Sequence, residues 1–134
     1  DDLDVTIDDG YQYVMLSLSG SVLFDSGSSD IRKEAKPILN RVGDILKKYP
    51  KNQIKIEGHT DNVPINTAEY PSNIWLSTAR ATKVLEYFHE KKNLNLKYLE
   101  ASGRGEVDPV AENTSASGRA KNRRVEIKIY GLSD

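Results

Sequence analysis

The sequence contains no cysteine. That excludes disulfides, thiolate zinc sites, iron–sulfur clusters and thiol catalysis together. It leaves the compartment open, because an exported domain can also lack cysteine. An excess of one charge is missing too: 19 Lys and Arg stand against 20 Asp and Glu, for a formal net charge of −1. Proteins that grip nucleic acid or a membrane surface through their bulk field are usually basic, so no nucleic-acid partner is expected. No apolar run approaches the roughly 18 residues of a membrane span, and no signal-peptide core is visible. Histidine is scarce, with two in the chain, and there is no internal repeat or low-complexity tract.

What is present describes an ordinary globular chain. At 134 residues, 37% hydrophobic and 29% charged, it has the size and composition of one domain. Such a chain buries roughly two-thirds of its unfolded surface, so it needs no covalent staple. Residues 1–134 are read as a single domain, with 1–19 a hairpin or linker-derived segment. Val5-Thr6-Ile7 and Tyr11 to Leu18 are β-forming runs around the turn Asp8-Asp9-Gly10. The stretch Asp25 to Asp30 is polar and reads as a loop, with Asp30 a fair helix N-cap.

Apolar residues recur at three- and four-residue spacing from Ile31 to Tyr49, which predicts a helix there. Pro37 sits in its first turns, where it delays or kinks the start. Gln53 to His59 alternates and predicts a half-buried strand. A second helix is expected from Asn73 to Lys92, ended by Asn93-Leu94-Asn95, and a strand from Tyr98 to Gly105. Glu106 to Lys121 is polar and loop-like, with room for one short helical turn. Val125, Ile127 and Ile129 alternate with Glu126 and Lys128 as a last strand. The order ββαβαββ implies an α/β sandwich of two layers, with helices on one face of a mixed sheet.

The second helix carries an anomaly. Leu76, Arg80, Val84 and Phe88 share one i, i+4 row, and the arginine sits among core residues. Burying an ionised side chain costs several kcal/mol unless it is paired. Two readings are open. Arg80 either snorkels or pairs with a structural acid, or it lies at a cleft and meets an anionic ligand. Asp61 is the natural companion, because it follows the carboxyl end of a strand, the edge where ligands bind in open α/β sheets. The two side chains form an internal salt bridge, or they share a zwitterion: Asp61 takes an ammonium and Arg80 forks onto a carboxylate.

Three motifs, in order, carry a resemblance. They are Gly58-His59-Thr60-Asp61-Asn62, Leu76-Ser77-Thr78-Ala79-Arg80-Ala81 and Asn122-Arg123-Arg124-Val125-Glu126-Ile127. The stretch from about Gly20 to Ile129 resembles the OmpA-like peptidoglycan-binding domain. Asn62-Val63-Pro64-Ile65, Tyr70-Pro71-Ser72-Asn73 and the 19-position spacing of Asp61 and Arg80 resemble its MotB-like members, which are flagellar stator subunits.

The resemblance implies a mixed sheet with two main helices and a non-catalytic anchor to the cell wall. The implied ligand is the peptide stem of peptidoglycan at its diaminopimelate residue. Asp61 would bind the ammonium and Arg80 the carboxylate. Thr60, Asn73 and Leu76 would line the cleft, with Asp25 near it. Arg124 matches the second arginine of the Asn-Arg-Arg motif and is preferred to Arg123. The resemblance further implies a homodimer, a MotA-like membrane subunit as partner, and no cofactor. It implies a periplasmic domain of an inner-membrane protein, held by an N-terminal transmembrane helix that this sequence does not include. The alternative within the family is an envelope protein of the peptidoglycan-associated lipoprotein type.

Other signals are weaker. Glu57, His59 and Asp61 include metal-ligand types, but there is no H-E-x-x-H pattern, and a role for His59 in orienting the Asp61 loop is preferred. Asp25, Glu57 and Asp61 supply carboxylates for glycoside cleavage only if one is desolvated and another ionised, which nothing in the sequence marks. Gly103-Arg104-Gly105-Glu106 lacks the Gly-Lys-Ser/Thr ending of a phosphate loop.

Overall fold

The computed structural model describes residues 3–7 and 12–132. The turn Asp8-Asp9-Gly10 and Tyr11 lie outside the described residues. Five strands form one sheet in the order β1-β2-β5-β3-β4. They are β1 (Leu3–Ile7), β2 (Tyr13–Ser19), β3 (Ile54–His59), β4 (Leu99–Gly103) and β5 (Arg124–Tyr130). Only β3 and β4 run parallel; β1 with β2, β2 with β5 and β5 with β3 are antiparallel. The sheet is therefore mixed, as expected.

Strand alternation sorts the two faces. Leu16, Leu18, Ile54, Ile56, Val125, Ile127 and Ile129 are buried together with apolar side chains of two helices, α2 (Lys36–Leu46) and α3 (Asn73–Lys92). This is the single core. The opposite parity carries Glu57, His59, Arg124 and Glu126, and these polar residues are buried as well. The strand expected to be half-buried is thus covered on both faces at its carboxyl end.

The helix α3 has the predicted bounds. Ser72 caps its start by accepting from the Trp75 amide. Asn93 ends it in the left-handed region at φ 59°, and the Leu94 amide returns to the Phe88 carbonyl. The predicted row is buried throughout: Val84 and Phe88 fully, Leu76 and Arg80 nearly so.

The first helix is shorter than its periodicity predicts. Ile31 bridges Phe24 in an isolated antiparallel pair, Lys33–Ala35 is a 3₁₀ turn, and α2 begins at Lys36. Pro37 explains the late start: its ring is tolerated in a first turn but lacks the N–H that an earlier start would need. Asp30 is consequently no cap. Gly20–Leu23 forms one turn, α1, between β2 and the polar loop. Tyr98 belongs to a 3₁₀ turn before β4, and Ala116–Asn122 folds as α4, capped by Ser115.

Two glycines set the distance between α3 and the sheet. A Cβ on Gly58 would strike the Ser77 carbonyl, and one on Gly103 would strike the Thr78 backbone and hydroxyl. The first turns of α3 therefore rest directly on the carboxyl ends of β3 and β4. That close approach brings Leu76 and Arg80 beside Asp61.

Candidate ligand-binding cleft

A cleft of about 500 Å³ opens where these elements meet. Thr60, Asp61, Asn73, Leu76 and Arg80, five of the residues singled out from the sequence, line it together. Its apolar wall comes from Phe24, Leu76 and the loop Val63-Pro64-Ile65.

Asp61 is held at both oxygens. Its Oδ1 accepts from the Val63 amide at 3.0 Å, and its Oδ2 accepts from Arg123 Nη1 at 2.6 Å. Asn73 fixes the same loop from the start of α3. Its amide donates to the carbonyls of Asp61 at 3.4 Å and Val63 at 3.1 Å, and to Glu106 Oε1 at 3.2 Å. Thr60 hydrogen-bonds the Asp61 carbonyl through its hydroxyl.

Arg80 is 6% exposed, yet no carboxylate lies within ion-pair distance of it among the described residues. Its Nε donates to the Ser28 carbonyl at 2.8 Å and its Nη2 to the Asp25 carbonyl at 3.0 Å. Its guanidinium carbon sits 4.9 Å from the centroid of the Phe24 ring, a cation–π contact. Burial pulls its pKa below the ordinary arginine value; the group remains charged at neutral pH. The polar loop Asp25 to Asp30 thus works as a backbone cradle that orients the guanidinium without neutralising it.

Two predicted site residues sit elsewhere. The Asp25 side chain is mostly exposed and faces Arg32 at 3.4 Å; only its carbonyl reaches Arg80. Arg124 does not line this cleft. Its Nε meets Glu126 Oε2 at 2.7 Å, and its Nη1 and Nη2 donate to the carbonyls of Asn122 and Asp108. The cause is strand parity: Arg124 pairs with His59 across β3 and β5, on the face away from α2 and α3. Arg123 precedes the strand with the parity of Val125 and enters the cleft instead. That parity is legible in the sequence, because Arg124 and Glu126 are two apart and must share a face. Arg119, on α4, also lines the cleft, and nothing in the sequence marked it.

His59 does not orient the Asp61 loop. Its Nε2 lies 3.4 Å from both Glu57 Oε1 and Glu126 Oε1, on the polar face of the sheet. Burial opposes a charged imidazole, but the contacts with Glu126 and Glu57 outweigh it and the His59 pKa is raised. The His59 contact, helped by Lys128 and opposed by burial, lowers the Glu57 pKa to about 2. Lys55, Lys128 and Arg124 pair with these two carboxylates. Glu57, His59 and Glu126 converge within 4.8 Å, but three cations already pair with the two acids, so the carboxylates are compensated within the protein. Asp61 is not part of that cluster.

Fold and cleft define a class: a small α/β sandwich whose sheet edge presents an ionised pocket, with one acid and three arginines among its lining. The chain belongs to the OmpA family, whose model matches residues 23–123. It is 42% identical to motility protein B of Bacillus subtilis over 116 residues, which is 87% of this chain and 44% of that protein. It thus spans less than half the length of that relative. Among solved structures it is similar to the cell wall anchor of the type VI secretion system from Pseudomonas aeruginosa. That likeness has a TM-score of 0.85 and 41% identity, and covers 95% of this chain and 87% of the other. The periplasmic domain of Helicobacter pylori MotB matches with a TM-score of 0.87 and 29% identity, over 97% of this chain and 82% of the other.

Proposed function

We propose that this domain binds the peptide stem of peptidoglycan without cleaving it, and so ties a membrane complex to the cell wall. One observation carries the reading: Arg80 is a buried, oriented cation beside Asp61, with no acid of its own among the described residues. A buried charge left uncompensated is costly, and a ligand carboxylate forked onto the guanidinium relieves that cost. The ammonium of the same ligand head meets Asp61. A diaminopimelate side-chain end offers both groups on one carbon. Thr60, Asn73 and Leu76 shape the cleft around it.

A binding role also fits the acids. Glu57 lies on the far face of the sheet and is held ionised, Asp25 points to solvent, and Asp61 is ion-paired. The three do not share a cleft as an acid–base pair would. The likeness to motility protein B and to a cell wall anchor supports the finer reading: a periplasmic domain of a membrane-anchored stator subunit, working as a homodimer beside a MotA-like membrane subunit.

The test is co-sedimentation with purified sacculi. The wild-type domain pellets with them and releases no soluble fragments. Asp61→Asn and Arg80→Gln stay in the supernatant while keeping a cooperative unfolding transition. Pelleting of either folded variant at the wild-type level would sink the assignment.

A further inference from the structure

The charges lining the cleft do not balance for a zwitterion. Asp61 is its one acid, against Arg80, Arg119 and Arg123. Asp61 and Arg123 cancel as a pair at 2.6 Å. Among the described residues neither Arg80 nor Arg119 has a carboxylate partner, and Arg119 Nη1 donates to the Asn113 carbonyl at 2.9 Å. A ligand head with one ammonium and one carboxylate leaves this surplus as it found it. It also creates a new vacancy: an ammonium arriving at Asp61 competes with Arg123 for Oδ2, and the displaced guanidinium needs another anion.

We propose that the cleft recognises a ligand with a second free carboxylate, received by Arg119 and the displaced Arg123, and that it discriminates wall peptides by amidation. This rests on the peptide-stem reading and sharpens it. The first carboxylate goes to Arg80, which the carbonyls of Asp25 and Ser28 hold in place. The second must lie on the same peptide, close enough to reach α4. Arginine suits this position, since its fork accepts a carboxylate in two parallel hydrogen bonds. An amide at that place offers one neutral acceptor, and it brings two N–H donors that face guanidinium groups with nothing to accept them. Removing the charge therefore forfeits the charge-assisted bonds and leaves two guanidiniums uncompensated. Because Arg123 already occupies Asp61, the ammonium trades one cation for another, so the carboxylates contribute more to affinity than the ammonium does.

The experiment compares two synthetic tripeptides by isothermal titration: L-Ala-γ-D-Glu-meso-diaminopimelate, and the same peptide with the glutamate α-carboxylate amidated. The diaminopimelate head is identical in both. For the wild-type domain the acid is expected to bind about tenfold or more tightly than the amide. In Arg119→Gln and Arg123→Gln, each checked for wild-type circular dichroism and a cooperative melt, the ratio falls toward about twofold. Arg119→Lys keeps the charge and retains most of the preference. Equal binding of the two peptides by the wild type overturns the proposal, as does a ratio that both Gln variants leave unchanged. Full binding of both peptides by a folded Arg80→Gln overturns the underlying peptide-stem reading instead. So does failure of the wild type to bind either peptide, and the proposal falls with it.

Discussion

Arg123 and Asp61 meet at 2.6 Å although 62 positions separate them in the chain. One sits in the loop after β3, the other at the entry to β5, and the antiparallel pairing of those two strands brings them together. The Asp61 carboxyl is thereby aimed without a ligand. Arg123 is the cation with which a ligand ammonium shares Asp61, while Arg80 waits in a backbone cradle.

Exchanging the two neighbouring arginines separates their roles. Arg124→Ala breaks a buried pair and leaves Glu126 with His59 alone, so it is expected to cost about 3 kcal/mol of stability. Arg123→Ala removes a partner whose side chain is 37% exposed, and is expected to cost under about 1 kcal/mol. Urea unfolding of both variants checks the contrast. Equal losses would mean that Arg123 is as structural as Arg124.

Arg80→Gln is expected to lose sacculus binding and also some stability. Its guanidinium satisfies the Ser28 carbonyl and shares the Asp25 carbonyl with the Ser28 amide, and leaving the Ser28 carbonyl without a donor costs about 1–3 kcal/mol. Denaturation midpoints measure the loss. Arg80→Lys keeps the charge but not the fork, so it should recover the melting point better than it recovers binding.

The polar network gives stability two pH limits. The His59 pKa is raised above 6.5 in the folded state. Its contribution is therefore complete below 6.5 and is lost as pH climbs through the folded value. The Glu57 pKa is lowered from 4.5 to about 2, so its contribution is complete above 4.5 and is lost as pH falls toward 2. Melting temperatures across this range should peak between pH 4.5 and 6.5. His59→Gln should flatten the alkaline limb, and an unchanged alkaline limb would count against a charged His59.

Gly103→Ala tests the close approach of α3. The added methyl meets the Thr78 backbone and hydroxyl, so the helix must lift from β4. The expected cost is about 1–3 kcal/mol, with weaker sacculus binding because Leu76 and Arg80 move away from Asp61. A variant with wild-type stability and binding would show that the helix seat is not constrained there.

The helix from Asn73 to Lys92 was readable to the residue, because capping, periodicity and a left-handed asparagine stop are all local. So were the order of elements, the acid after β3 and the arginine in an apolar row. The start of α2 departs from its periodicity because apolar spacing continues back through Ile31, where a bridge to Phe24 competes with the helix and Pro37 decides the outcome. Asp25 is expected near the cleft from its side chain, but its carbonyl, not its carboxylate, is what Arg80 uses. A backbone acceptor leaves no mark on residue type.

Fold class, motif spacing and family likeness follow from residue order alone, since each rests on patterns within one element or on the succession of elements. Tertiary structure alone decided which of two adjacent arginines meets Asp61, why His59 belongs with Glu57 and Glu126, and how a chain of net charge −1 comes to hold a cleft lined by three arginines and one aspartate. The reason is physical. Whether two charges cancel depends on distance and burial, and these are set by strand register and helix seating between segments far apart in the chain.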